Sequence, residues 1–216
     1  MGKKGGNWLN KQRSDKYYVK SKREGHRARS YYKIAQIDQK YNIFKVNGRY
    51  PKKILDLGAA PGAWLEYTNR KFLERPPDQQ TKKFKVIGID LTSIKPFEDA
   101  PNITTYRLDI FKPRCEEIIT ENAPFDIILS DLAPKTSGDF RDIAIQESMV
   151  EKIFYFLKYL RFHGNVVIKV FQSEEIDRLF KLFLPHFRNF KRMKPKSSRE
   201  SSREIFFVGK DFQGFD

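Results

Sequence analysis

Short apolar runs separated by polar turns dominate the chain from residue 51 onward. Runs near 53–57, 84–89, 103–108, 125–130, 164–171, 186–192 and 204–209 have the length and β-branched content of buried strands. Between them, apolar residues recur at helical spacing near 62–74, 113–121, 141–161 and 174–184. Strands alternating with helices predict a mostly parallel, doubly wound sheet with helices on both faces. Only a polar loop, KPKSSRESSR from Lys194 to Arg203, separates the last two strands, so they form an antiparallel hairpin. Loops are also expected at RPPDQQT (Arg75 to Thr81) and SIKPFEDAP (Ser93 to Pro101). Ahead of the core, 15–24 and 29–43 read as two amphipathic helices. In the second, Ile34, Ile37, Tyr41 and Phe44 share a face and Ser30 is a candidate N-cap. The expected organisation is a basic arm and helices over 1–50, with Pro51 opening an α/β domain over 51–216.

Length and composition suit this picture. A chain of 216 residues with 39% hydrophobic content can bury one α/β core. No apolar run approaches the roughly 20 residues of a membrane span. The opening MGKKGGNWLN has no apolar signal region, so a cytoplasmic protein is expected, although an organellar home is compatible with the sequence. Cys115 is the single cysteine, which excludes an internal disulfide and points to a reduced structural thiol. His26, His163 and His186 are scattered without cysteine neighbours, so no metal site is expected.

The net charge of +15 is unevenly placed. Residues 1–50 hold 14 Lys and Arg against 3 acids, and residues 188–203 hold 7 against 1, whereas 51–187 is balanced at 20 against 20. Basic flanks interleaved with Trp8, Tyr17, Tyr18, Tyr31 and Tyr32 read as a nucleic-acid footprint. The candidate phosphate contacts are Lys11, Arg13, Lys16, Lys20, Arg27 and Arg29 at the start, and Lys194, Lys196, Arg199 and Arg203 in the late loop.

Candidate chemistry concentrates in ILDLGAAPGAW, Ile54 to Trp64, an apolar strand feeding a small-residue turn and a helix start. Such a turn lets a ligand approach the main chain and the unpaired N–H groups of a helix N-terminus. The turn lacks both the spacing of GxGxxG and the GK[ST] of a P-loop, so a pyrophosphate or triphosphate is poorly served. Acids recur at strand ends: Asp90 after VIGI, Asp109 after YRL and Asp131 after FDIILS. Asp90 is placed to accept ribose hydroxyls and Asp109 an adenine amine, which fits a ligand with an amino-acid end, a ribose and an adenine.

These elements resemble the FtsJ-type (RrmJ/RlmE) ribose 2′-O-methyltransferases of ribosomal RNA almost from end to end. The matching motifs are NWL at Asn7, RARSYYKI at Arg27, LDLGAAPGAW at Leu55, SDLAPKTSG at Ser130, VIKVFQ at Val167, and SSR and SRE at Ser197 and Ser202. The resemblance implies a Rossmann-like class I fold with a seven-stranded, mostly parallel sheet, an antiparallel last strand and a short N-terminal helical appendage. It implies S-adenosylmethionine as cofactor, held by Asp56, Gly58, Ala59, Pro61, Gly62, Trp64, Asp90, Leu91, Asp109, Ile110 and Asp131. It also implies a catalytic tetrad of Lys33, Asp131, Lys169 and Glu204 acting on ribosomal RNA or the large subunit, as a monomer. Because the match begins by Asn7, no transit peptide is expected. Two departures stand out: Ala63 where many members have Gly, and His163–Gly164–Asn165 in place of a Pro-Gly-Gly turn.

The residue types suit that chemistry. A ribose hydroxyl is a weak nucleophile and must lose its proton during attack, or be held in line by strong hydrogen bonds. Lys169 lies inside the apolar run VVIKVF and, once buried, needs a charged partner. Asp131, placed between Lys33 and Lys169, would orient both. The expected target is a uridine of the peptidyl-transferase A-loop. Competing readings are a tRNA anticodon-loop 2′-O-methyltransferase and an RNA-binding assembly factor that has lost activity. A viral cap methyltransferase is the weakest alternative, since no guanosine pocket is apparent.

Overall fold

The computed structural model describes residues 15–80, 83–134 and 140–215, with backbone alone at 140–143. Lys11, Arg13 and the stretch 135–139 lie outside the described residues. Two helices, α1 (Lys16–Arg23) and α2 (Tyr31–Tyr41), precede β1 (Lys53–Leu57) and α3 (Ala63–Leu73). There follow β2 (Lys85–Asp90), β3 (Ile103–Arg107), α4 (Pro113–Asn122), β4 (Phe125–Ser130) and α5 (Phe140–Phe156). The chain ends with β5 (Leu160–Phe171), α6 (Glu174–Phe183), β6 (Phe187–Met193) and β7 (Glu204–Phe212).

The strands form one seven-stranded sheet in the order β3-β2-β1-β4-β5-β7-β6. Pairing is parallel from β3 to β5, and β7 inserts antiparallel between β5 and β6. Strand order reverses about β1, which lies between β2 and β4, and a doubly wound sheet binds its ligands in the crevice at such a switch point. The expected hairpin is present, and β7 extends three residues beyond the predicted 209. The longest predicted helix stops five residues early, at Phe156, and β5 begins at Leu160 rather than 164. Both boundaries fall in one aromatic-rich run from Phe154 to Phe162, where apolar periodicity cannot separate helix from strand.

Side-chain alternation assigns the two faces of the sheet. Leu55, Ile87, Ile128, Val166 and Ile168 face a core with Ile118, Ile119, Val150 and Ile153 from α4 and α5. Ile54, Val86, Ile127, Val167 and Phe206 face the other core, with Trp64 and Leu65 of α3 and Tyr31, Ile34 and Ile37 of α2. Residues 31–46 therefore share a core with the sheet. Ile34 and Ile37 are fully buried, and burying such a side chain contributes about 1.5–3 kcal/mol. Phe44 packs there too, although α2 has already ended at Asn42, whose left-handed backbone (φ 52°) caps the helix. Buried Asp38 locks α2 to α3 by accepting from Tyr67 Oη at 2.8 Å and from Phe44 N at 3.2 Å.

Cys115 is buried in the first core, and burial pushes its thiol up to about 11, well away from thiolate chemistry at neutral pH. No described helix is long and apolar enough to cross a membrane.

Candidate active site

Alternation along β5 places Lys169 on the same face as Val167, beneath α2. Glu204 shares a face with Phe206 on β7 and opens that strand opposite Phe171. Asp131 follows β4, its N–H donating to Leu57 O at the end of β1. Lys33 lies on the buried face of α2. All four thus converge at the carboxyl end of the parallel strands.

They form two buried ion pairs. Lys169 Nζ lies 2.9 Å from Asp131 Oδ1 and donates to Asp131 O at 2.5 Å. Lys33 Nζ donates to Glu204 Oε2 at 2.6 Å. Sequence order suggested that Asp131 would serve both lysines, but in the structure each lysine has its own carboxylate. The reason is topological: β7 enters beside β5, so Glu204 arrives under α2 and takes Lys33. Ser198 Oγ donates to the other Glu204 oxygen at 2.8 Å. Both lysines and Glu204 are more than nine-tenths buried, so the pairing offsets a desolvation cost that single charges would not survive.

The Gly58–Gly62 turn sits beside this cluster. Gly58 has φ 74°, and a Cβ there would stand 2.8 Å from Leu132 N, so the turn and the chain after β4 approach too closely for any side chain. Gly58 N and Ala59 N donate to Ile89 O, and Ala60 N donates to Asp90 Oδ2 at 3.0 Å. These turn amides are spent within the protein. The unpaired N–H groups are those of the first turn of α3, which follows Gly62, at the helix N-terminus where the sequence pattern expects them. Asp90 also accepts from Thr92 N, so one carboxylate ties the turn to the loop after β2. Pro61 follows a cis peptide bond and lends its carbonyl to Arg27.

Asp56 is fully buried on β1, and both of its oxygens lack a hydrogen-bond partner among the described residues. Burial, with Asp131 and Asp90 nearby, pushes its carboxyl well above the usual carboxylate range, so it keeps its proton where a surface aspartate has lost it. A buried orphan acid beside a Gly/Ala turn is chemically suited to a cationic ligand group. Asp109 accepts from Phe111 N in its own tight turn, Ile110 is buried and Leu91 is exposed. Trp64 is buried against Phe206, and its indole N–H donates to Ser30 O at 3.0 Å, so its side chain joins α2 to α3. Ser30 thereby contributes a carbonyl, and its hydroxyl makes no cap bond.

The two basic flanks meet in one groove of about 620 Å³, lined by Lys16 and Arg29 on one side and Lys196 and Arg199 on the other. Asp15 bridges them, paired with Arg29 and 3.2 Å from Arg199 Nε. Gln36 Oε1 accepts from Ser197 N at 3.0 Å, which pins the late loop to α2. Lys20, Lys196 and Arg203 remain exposed. Lys194 is exposed too, but gives two donors to Ser202 O and Glu200 O on its own loop. Arg27 is likewise committed: it donates to Lys95 O at 2.5 Å and Pro96 O at 2.8 Å, and stacks 3.5 Å from the Phe97 ring centre. Sequence reasoning missed Asp15, Gln36, Ser198 and the clamp role of Arg27. The motifs RARSYY and SSR flagged their neighbourhood, but polar partners far apart in sequence leave no periodic signal.

Comparison with known proteins identifies the family. A family model described as FtsJ-like methyltransferase matches residues 26–212. The ribosomal RNA large subunit methyltransferase E of Methanothermobacter thermautotrophicus is 36% identical over 221 residues, spanning 99% of this chain and 96% of that protein. Its namesake from Archaeoglobus fulgidus is 35% identical over 211 residues, spanning 94% and 98%. Among solved structures, a protein named as a ribosomal RNA methyltransferase from Plasmodium falciparum superposes with a TM-score of 0.68 at 28% identity, covering 88% of this chain and all of that one. With nearly its whole length matched, its sheet order that of a Rossmann-like methyltransferase and its paired lysines beside the turn, the chain belongs to the FtsJ-like methyltransferase family.

Proposed function

We propose that this protein transfers a methyl group from S-adenosylmethionine to a ribose 2′-hydroxyl of large-subunit ribosomal RNA, at the A-loop uridine. The observation that carries the proposal is the pair of buried ion pairs, Lys169–Asp131 and Lys33–Glu204, beside the Gly58–Gly62 turn. The names of the relatives support the substrate class.

The residues present fit the cofactor. Asp56 supplies a buried carboxyl in want of a cation, Asp90 an acid at the end of β2, and α3 an open N-terminus beside Gly62. When bound, S-adenosylmethionine supplies an electrophilic methyl on a sulfonium. Lys169 Nζ, fixed by two oxygens of Asp131, holds the 2′-oxygen and stabilises the negative charge that grows on it. During attack the hydroxyl proton would pass to the Lys169–Asp131 pair. Lys33, anchored by Glu204 and through it by Ser198, presents a second cation over the same crevice. The groove between Lys16, Arg29, Lys196 and Arg199 opens beside Glu204 and accommodates the RNA backbone.

The deciding experiment is methyl transfer from labelled S-adenosylmethionine to purified ribosomal RNA, ribosomal subunits and transfer RNA, followed by mapping of 2′-O-methyl groups. Label on one A-loop ribose is expected. Label confined to transfer RNA would replace the substrate, and no label on any RNA would favour the inactive assembly factor. In calorimetry, Asp90→Ala is expected to weaken S-adenosylmethionine binding by at least tenfold, about 1.4 kcal/mol. The loss combines a ribose contact with release of the Ala60 amide, which loosens the whole turn. Wild-type affinity in Asp90→Ala would remove Asp90 from the cofactor site.

A further inference from the structure

A second polar pocket, of about 550 Å³, lies at the other end of the sheet from the tetrad. His163 on its wall precedes Lys169 by six residues along β5, about 20 Å of strand. Lys45, Arg188 and Lys210 line it against a single carboxylate, Asp211. That carboxylate is already committed, with Oδ1 2.6 Å from His163 Nδ1 and Oδ2 3.2 Å from Arg188 Nε. Lys210 gives one hydrogen bond, to Tyr41 O at 2.7 Å, which leaves donors of its ammonium for a ligand. The pocket is therefore cationic and rimmed by asparagine amides.

Residues His163–Gly164–Asn165 are those that depart from the family's Pro-Gly-Gly turn. They bulge out of the sheet: from Phe125 to Ile127, β4 advances two residues while β5 advances five, from Leu160 to Asn165. Gly164 permits the fold-back, since a Cβ there would stand 2.7 Å from Arg161 O. Asn165 is buried and spans the floor, donating to Ile43 O and Lys45 O and accepting from Asp211 N. All four non-glycine residues with positive φ among those described line this pocket: Asn42, Asn47, His163 and Asp211. Asn42 caps a helix and Asn47 turns a hairpin with Gly48. His163 and Asp211 lie inside strands, where a left-handed backbone is strained and tends to mark binding sites. A Pro-Gly-Gly turn would supply neither the His163 ring nor the Asn165 amide.

We propose that this pocket is a second phosphate site, taking the backbone of a segment of the same ribosomal RNA remote from the methylated nucleotide. The proposal rests on RNA being the substrate. It makes long or folded RNA a two-point ligand, whereas an oligonucleotide carrying only the target and its neighbours engages the tetrad end alone.

The test uses the full chain with Lys45→Gln and Arg188→Gln combined, neither residue belonging to the tetrad, the turn or the groove beside it. Unfolding midpoints and S-adenosylmethionine binding are compared first and are expected to match wild type. Affinity for a long ribosomal RNA fragment is expected to fall about tenfold, and the log–log salt slope to flatten by about two, one for each phosphate contact removed. Binding and turnover of the minimal oligonucleotide should not change. Unchanged affinity and slope on the long fragment would overturn the pocket. So would an equal loss on the minimal oligonucleotide, which marks a diffuse charge effect. Inorganic phosphate that binds wild type and not the variant, with RNA affinity untouched, would make the ligand a free phosphate. A loss seen with assembled subunits and absent with naked RNA would make it an acidic ribosomal protein. Wild type that binds the long fragment but methylates no RNA would refute the proposed activity, and the variant's binding data would still decide the pocket.

Discussion

Lys169→Ala is expected to lower single-turnover methyl transfer by about 10²- to 10⁴-fold, the range of a positioned proton-transfer group. Cofactor affinity should change little. Lys169 is the cation fixed by both the carboxylate and the carbonyl of Asp131, and alternation along β5 points it into the crevice rather than at solvent. Asp131→Ala should be as severe, because it leaves Nζ without the two oxygens that hold it. Lys169→Arg tests geometry against charge. It keeps the cation but places a planar fork where a single Nζ sits between two oxygens 2.5 and 2.9 Å away, so activity should stay low. Wild-type turnover in Lys169→Ala would remove the mechanism proposed here.

Lys33→Ala is expected to cost nearly as much activity and, unlike Lys169→Ala, to be partly rescued in stability by a second substitution. The single variant leaves Glu204 buried without its cation. Breaking a buried pair from one side costs about 3–5 kcal/mol, reduced here by the Ser198 hydroxyl that still bonds Glu204. Removing Glu204 as well takes away the stranded charge, so the double variant should unfold at a higher temperature than Lys33→Ala while remaining inactive. Glu204→Ala alone should lose less turnover, since Glu204 orients Lys33 and moves no proton. A loss of stability in the double variant equal to the sum of the losses in Lys33→Ala and Glu204→Ala would show that the two groups are not coupled.

These two expectations draw on different kinds of information. That Lys169 is buried, and faces the same side as Val167, follows from a lysine inside an apolar strand with period-two alternation. That Ile34 and Ile37 face the core follows from their helical spacing, whereas Lys33 beside them was marked only by the family resemblance. The Gly58–Gly62 turn and the acids Asp90 and Asp131 at strand ends were equally legible. An apolar run that stops at an acid marks where a buried strand meets the crevice.

Pairing was not legible, because alternation sets the face a side chain occupies and says nothing of the strand beside it. Lys33 and Glu204 are 171 residues apart, and they meet because β7 enters antiparallel between β5 and β6. The same insertion brings the late basic loop onto α2, where Gln36 and Asp15 hold it, so that two flanks separate in sequence become one groove. Charge counts could not tell a lysine or arginine that meets solvent from one already spent. Arg27 belongs to the second kind, since backbone carbonyls at Lys95 and Pro96 absorb its donors. Local pattern and periodicity thus determined the elements and their faces, and the motifs carried the resemblance to the family. Which lysine answers which carboxylate, and which cations remain for RNA, was decided by strand order and loop closure, contacts that arise after distant segments are folded together.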